Sequence, residues 1–114
     1  MDQVFKALAD PTRRAILDHL RENPLTTGQL VERFPDLSRC GVMKHLAVLE
    51  EADLVLVRRE GRSRWNYLNA IPIMQIHQRW VSAYLGELGG PLLALKKLAE
   101  EQNKRSTKGE TDAD

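Results

Sequence analysis

Cysteine is nearly absent from this chain of 114 residues, which has only Cys40. A single thiol excludes an internal disulfide and any zinc site built from paired cysteines, and it suits a reducing compartment. Long apolar runs are missing too. No stretch approaches the roughly 18 residues that a membrane helix needs, and the leading MDQVFKALAD is too charged for a secretion signal. The expectation is a soluble, cytoplasmic protein with no membrane partner. Aromatic residues make up 5% of the chain against 29% charged, a balance that fits a helical domain better than a β-sandwich. Catalytic groupings are lacking: His19, His45 and His77 fall on separate helices without a nearby nucleophile or carboxylate pair, and there is no glycine-rich phosphate loop. The chain is therefore expected to be neither an enzyme nor a cofactor binder.

A large net charge is lacking as well, since the formal total is +1. The total hides an uneven distribution, because Arg58 to Arg64 holds four arginines against one glutamate. Just upstream, Thr26 to Ala52 predicts two short helices joined by a tight turn. Thr26-x-x-Gln29 is a capping-box pattern, followed by apolar Leu30, Val31 and Phe34 at helical spacing. Pro35-Asp36 stops that helix. Ser38 is a good N-cap for the next, and Leu37 before it can pack on Val42 as a hydrophobic staple. Val42, Leu46 and Leu49 recur at i, i+4, i+7 and predict one buried stripe. Arg39, Cys40, Met43, Lys44 and Ala47 fall on other faces. A helix-turn-helix needs this layout, with one helix braced on the core and the next showing its N-terminal residues to base edges in the major groove.

The flanking segments fit around this pair. Val4, Phe5 and Leu8 predict a short amphipathic helix over residues 2–9 that must dock on something. Asp10 is the expected N-cap of a helix from Pro11 to Glu22, with Ala15, Ile16, Leu17 and Leu20 inward. Arg13, Arg14 and Arg21 are expected outward as solvated arginines, and Asn23-Pro24-Leu25 is expected to be a plain connection. After the helix pair the period changes to two. Leu54 to Arg59 and Arg64 to Leu68 predict a two-stranded hairpin around Glu60-Gly61-Arg62-Ser63. Val55, Val57, Trp65 or Tyr67 must lean on the helices, because a lone ribbon is marginal in water. Its arginine-rich tip suits a phosphate backbone or a minor groove.

Beyond Pro72, residues Ile73, Ile76, His77, Trp80, Val81, Tyr84 and Leu88 predict a longer helix. Leu92, Leu95, Leu98 and Ala99 resume an apolar face after Gly89-Gly90-Pro91. The expected architecture is mainly α with a small β-hairpin wing, a winged helix-turn-helix of order α-α-α-α-β-β-α with an extra C-terminal helix. Trp80 and the leucines near it need a partner, and a second copy of the chain supplies one economically. The expected dimer interface comprises Val4, Phe5, Leu8, Ile73, His77, Trp80, Tyr84, Leu88 and Leu95. Residues 1–103 are expected to form one domain including the dimerisation helices, and residues 104–114 a disordered tail.

ALADPTRRAILDHL, LSRCGVMKHLAVLEEADLV and VRREGRSRWNYL together resemble the ArsR/SmtB family of bacterial winged-helix repressors, over roughly Val4 to Leu68. The resemblance implies a homodimer that binds double-stranded DNA at an inverted-repeat operator and represses transcription, often of its own operon. It places the base-contacting residues on Arg39, Cys40, Met43 and Lys44, with His45 beside them, and wing contacts on Arg62 and Arg64. Ser38 and Arg58 complete the expected DNA-binding set. The chain also departs from the family. Metal-sensing members carry Cys-x-Cys where this chain has Gln29-Leu30-Val31-Glu32, and His77 has Leu88 eleven residues on in place of a second histidine. The likeness is thus to the metal-less, autorepressor-like subgroup, and no metal site is expected. An alternative is a redox- or small-molecule-responsive regulator acting through Cys40 or the dimer interface, since Cys40 lies at a helix N-terminus between Arg39 and Lys44.

Overall fold

The computed structural model describes residues 1–86 and 96–101, in two units, Met1–Gln75 and a second from Ile76 onward. The expected interface residues Leu88 and Leu95, and the expected tail over residues 104–114, lie outside the described residues.

In the first unit, α1 (Asp2–Leu8) and α2 (Pro11–Glu22) meet at Asp10. The Asp10 carboxylate caps α2, accepting from the Thr12 N–H at 2.8 Å and the Arg13 N–H at 3.0 Å, with Pro11 at the first helical position. At 7 residues α1 cannot hold itself together, and its last carbonyls need donors. Arg13 supplies them through Nε to the Ala7 carbonyl at 2.9 Å and Nη2 to the Lys6 carbonyl at 2.9 Å. Arg14 Nη1 donates to the Leu8 carbonyl at 2.7 Å. Both are bound to the end of α1; Arg14 is exposed, as expected, whereas Arg13 is half-buried, which corrects the expectation of a solvated side chain there.

The helix pair follows as α3 (Thr27–Arg33) and α4 (Arg39–Glu51). Thr26 Oγ1 accepts from the Gln29 N–H at 3.1 Å while Gln29 Oε1 accepts from the Thr26 N–H at 2.9 Å, a complete capping box. Ser38 Oγ caps α4 by accepting from the Gly41 N–H at 3.0 Å. The expected stripe of α4 is inside, with Val42 and Leu49 at 0% exposure and Leu46 at 1%, against a core that includes Ile16, Leu30 and Leu54. The helix ends in a Schellman motif, in which the Leu54 N–H reaches the Leu49 carbonyl at 2.9 Å and the Asp53 N–H reaches that of Glu50 at 3.0 Å. Asp53 occupies the left-handed position with φ 60°.

The sheet is larger than expected. Strands β2 (Val55–Glu60) and β3 (Ser63–Leu68) form the hairpin, and β1 (Leu25–Thr26) adds to the other side of β3, giving three antiparallel strands in the order β1-β3-β2. A two-residue strand is too short to show alternation, so Leu25 gave no sign of it in the sequence. What fixes β1 is Asn66, directly opposite Leu25, whose Nδ2 donates to the Leu25 carbonyl and to Thr27 Oγ1, both at 3.2 Å. Asn66 is the fully buried residue of β3, whereas Trp65 and Tyr67 are half-buried and Val55 is the apolar residue that goes fully inside from β2. The hairpin turns at Gly61 and Arg62 between the paired residues Glu60 and Ser63. Of these two only Gly61 has positive φ, at 61°, as a type II′ turn requires of its first central residue.

Helix α5 (Ile71–Ile76) closes the first unit, with Pro72 buried and Ile71, Ile73 and Met74 exposed. In the second unit His77–Ser82 is π-helical where regular α spacing was expected, and residues 83–86 and 96–101 are α-helical. Within it the Arg79 guanidinium lies 5.1 Å from the Trp80 ring centroid, and Ser82 Oγ is 3.3 Å from His77 Nδ1.

Candidate nucleic-acid interface

The burial of Val42, Leu46 and Leu49 forces the other side of α4 outward. Arg39, Cys40, Met43 and Lys44 are all exposed, gathered in the first two turns. The Ser38 oxygen is committed to the cap, so Ser38 sets where the helix begins. Cys40 is a free thiol. His45 is placed differently from the rest of the expected reading set. It is half-buried, with Nδ1 at 3.2 Å from Arg13 Nη1 and 3.9 Å from Asp10 Oδ2. His45 thus ties α4 to the α1–α2 junction.

Asp10 lies at the centre of this junction, and its carboxyl pKa is lowered from the usual value. The backbone N–H of Arg13 is the largest cause. Desolvation opposes it, while the charge of His45, the Thr12 N–H and the Arg13 guanidinium lower it further.

On the wing, strand alternation sorts the arginines between two faces. Val55, Val57 and Arg59 share one face of β2, with Arg59 opposite Arg64 and Val57 opposite Asn66. Leu56, Arg58 and Glu60 share the other. Arg58 is exposed there, its Nε 3.6 Å from Glu60 Oε1 and its backbone opposite Trp65. The face bearing Arg59 and Arg64 lines a cleft of about 370 Å³ shared with Arg39 and Met43 of α4, Thr27 at the start of α3, and Arg62 at the wing tip. Arg64 is half-buried and bound through Nη2 to Glu50 Oε2 at 2.6 Å, an ion pair that joins the wing to α4. Its Nε is buried, with no acceptor among the described residues.

The structure therefore brings Arg39, Met43, Arg62 and Arg64 together around one cleft and leaves Arg58 on the opposite face of the wing. Arg59 was missed in the sequence, although counting by two from the buried Val55 leads to it. Among the expected interface residues, Val4 is buried within its own protomer at 8% exposure and Leu8 is half-buried, while Phe5, Ile73, His77 and Tyr84 are exposed and Trp80 is half-buried. Among the described residues no group of three or more His, Cys, Asp or Glu is placed to hold a metal ion. No described helix is long and apolar enough to cross a membrane.

Known proteins share this arrangement. A family model for a helix-turn-helix domain matches residues 8–58. The chain is 44% identical over 86 residues to the uncharacterized HTH-type transcriptional regulator YuzN of Bacillus subtilis, covering 70% of this chain and 94% of that one. It is 33% identical over 87 residues to the transcriptional repressor SdpR of the same organism, covering 76% of this chain and 94% of SdpR. Among solved structures, an ArsR-like transcriptional regulator from Rhodococcus superposes with a TM-score of 0.69 at 30% identity, over 88% of this chain and 90% of that one.

Proposed function

The chain belongs to the ArsR family of winged helix-turn-helix, DNA-binding transcriptional regulators, and from that premise we propose that it is a homodimeric repressor of its own or a neighbouring operon. It binds an inverted-repeat operator in the cytoplasm and has no metal-sensing site. The observation that carries this reading is the division of α4, with Val42, Leu46 and Leu49 inside and Arg39, Cys40, Met43 and Lys44 exposed at its N-terminal end. In the major groove Arg39 can fork onto a guanine, Lys44 can reach a guanine or a phosphate, and Met43 can meet a thymine methyl. The Ser38 cap and the His45 contact to Arg13 hold the helix for that task.

Dimerisation rests on the apolar side chains each unit leaves exposed. Phe5, Ile73 and Met74 lie in the first, and Val81, Tyr84 and Leu85 in the second. A partner chain would meet Phe5, since Val4 is already used in the core. The functional domain extends over residues 1–103, and a twofold mate sets the half-site spacing.

The test is a pair of variants measured on operator and random DNA. Arg39→Ala should cost about 1 to 3 kcal/mol at one base position and relax specificity there, whereas Arg62→Ala should weaken all sequences alike and reduce the salt slope by about one. Equal shifts on both DNAs from both variants would refute the assignment. A second reading is favoured by the exposure of Cys40 within the reading face, where oxidation would interfere with DNA directly. There is no second cysteine in the chain to resolve a sulfenic acid, so a partner's thiol or a cap such as glutathione must take that role. Cys40→Ser with DNA affinity insensitive to peroxide, against a sensitive parent, would establish this reading, and an insensitive parent would end it.

A further inference from the structure

We propose that the cleft between the wing and α4 seats one DNA backbone phosphate and that Arg59, on the inner face of β2, is its principal ligand. The inference rests on the DNA-binding reading above and specifies how the wing engages the duplex. Four guanidiniums, from Arg39, Arg59, Arg62 and Arg64, line one concavity of about 370 Å³. Like charges at such proximity repel unless an anion lies among them. No acidic residue is among the described residues that line it, and Arg64 is bound to Glu50 at 2.6 Å. Arg39, Arg59 and Arg62 are left exposed around the cleft, and no described ion pair involves them.

The ligand chemistry follows from the lining. Guanidinium forks match phosphate oxygens in two-point hydrogen bonds, and exposed Ser63 adds a short polar group. A cleft that borders the base-reading helix on one side and the wing tip on the other is open to a phosphodiester of a strand whose bases Arg39 contacts. Arg58, next in sequence, faces away and is the natural control.

The experiment uses the full chain with operator and random duplexes at several salt concentrations. Arg59→Ala should weaken both DNAs by the same factor and lower the salt slope by about 0.9, and Arg58→Ala, on the other face of the wing, should cost clearly less on both. A scan of single methylphosphonate substitutions should find one phosphate whose neutralisation reproduces the Arg59→Ala loss. On that duplex the variant should lose nothing further. Both side chains are exposed, so unchanged urea midpoints will show that the fold is intact. An Arg59→Ala effect confined to operator sequences would make Arg59 a base reader, and no effect, or an equal effect from Arg58→Ala, would place the phosphate elsewhere; each overturns the proposal. Saturable binding of inorganic pyrophosphate at micromolar concentration without DNA would assign the cleft to a free phosphorylated effector and overturn it likewise. If the parent binds no DNA at all, the function proposed above falls and this inference with it. If the parent binds but Arg59 is indifferent, only the inference falls.

Discussion

Replacing Asp53 should make this protein more stable, by an amount that can be divided between backbone strain and charge. Asp53 occupies the C′ position of the Schellman motif at φ 60°, where a side chain beyond glycine costs about 1 to 2 kcal/mol. The motif holds because Leu49 and Leu54, at its two hydrophobic positions, are both fully buried. Asp53 also stands one residue beyond a helix that ends in Glu50-Glu51, so three carboxylates meet the negative end of the α4 dipole. Asp53→Asn keeps a side chain that tolerates the left-handed region and removes the charge, for an expected gain of about 0.3 to 1 kcal/mol that shrinks in high salt. Asp53→Gly removes the charge and the strain together. Its extra backbone entropy offsets roughly 0.5 to 1 kcal/mol, so it should exceed the Asn variant by about 0.5 to 1 kcal/mol in any salt. Asp53→Ala relieves no strain and should fall below the Asn variant. Urea unfolding monitored by circular dichroism reads all three, provided the slope stays constant. A glycine variant no more stable than the asparagine one would show that the positive φ carries no strain here.

Three further outcomes are expected. Leu46→Ala, at 1% exposure, should cost about 2 to 5 kcal/mol, while Met43→Ala on the exposed flank of α4 should stay within about 0.5 kcal/mol; similar losses in urea would contradict the facing of the helix. Ser38→Ala should cost about 1 kcal/mol through the lost cap on Gly41, and it should weaken operator binding more than random DNA binding, because the frayed turn carries Arg39. Because the Asp10 pKa is depressed on folding, its contribution is present above the ordinary 3.8 and disappears as pH falls through the lower folded value. Asp10→Asn keeps a capping oxygen without the titration, so the stability advantage of the parent over this variant should narrow progressively in acid below 3.8, and a gap independent of pH would refute the role of its charge.

The helices and their caps were legible because each is specified by residues within one turn of its ends. Thr26 with Gln29, Ser38 with Gly41, and Asp10 with Pro11 all act as the sequence implies. The wing was legible from its period of two and from Gly61. What escaped the sequence depends on partners far along the chain. Leu25 became a strand through Asn66, 41 positions away, and Asn66 looked like a surface residue because its burial is compensated by bonds to Leu25 and Thr27. Arg13 and His45 looked like solvent and DNA groups for the same reason, since their hydrogen-bond partners belong to neighbouring elements. The cleft was half visible. Charge density pointed to the wing, but the sorting of Arg58 and Arg59 onto opposite faces takes the strand pleat to see, and the Glu50 link to Arg64 has no local signature.

The claim on which the rest depends, that the exposed start of α4 reads DNA as one half of a twofold pair, is tested most directly by selecting bound duplexes from a random pool with the intact chain. The expected result is an inverted repeat whose half-sites lie about 10 base pairs apart, centre to centre, or a multiple of one helical turn. One position of each half-site should lose its preference when Arg39→Ala replaces the parent. Recovery of an undivided, asymmetric site, or of no enriched sequence at all, would contradict it.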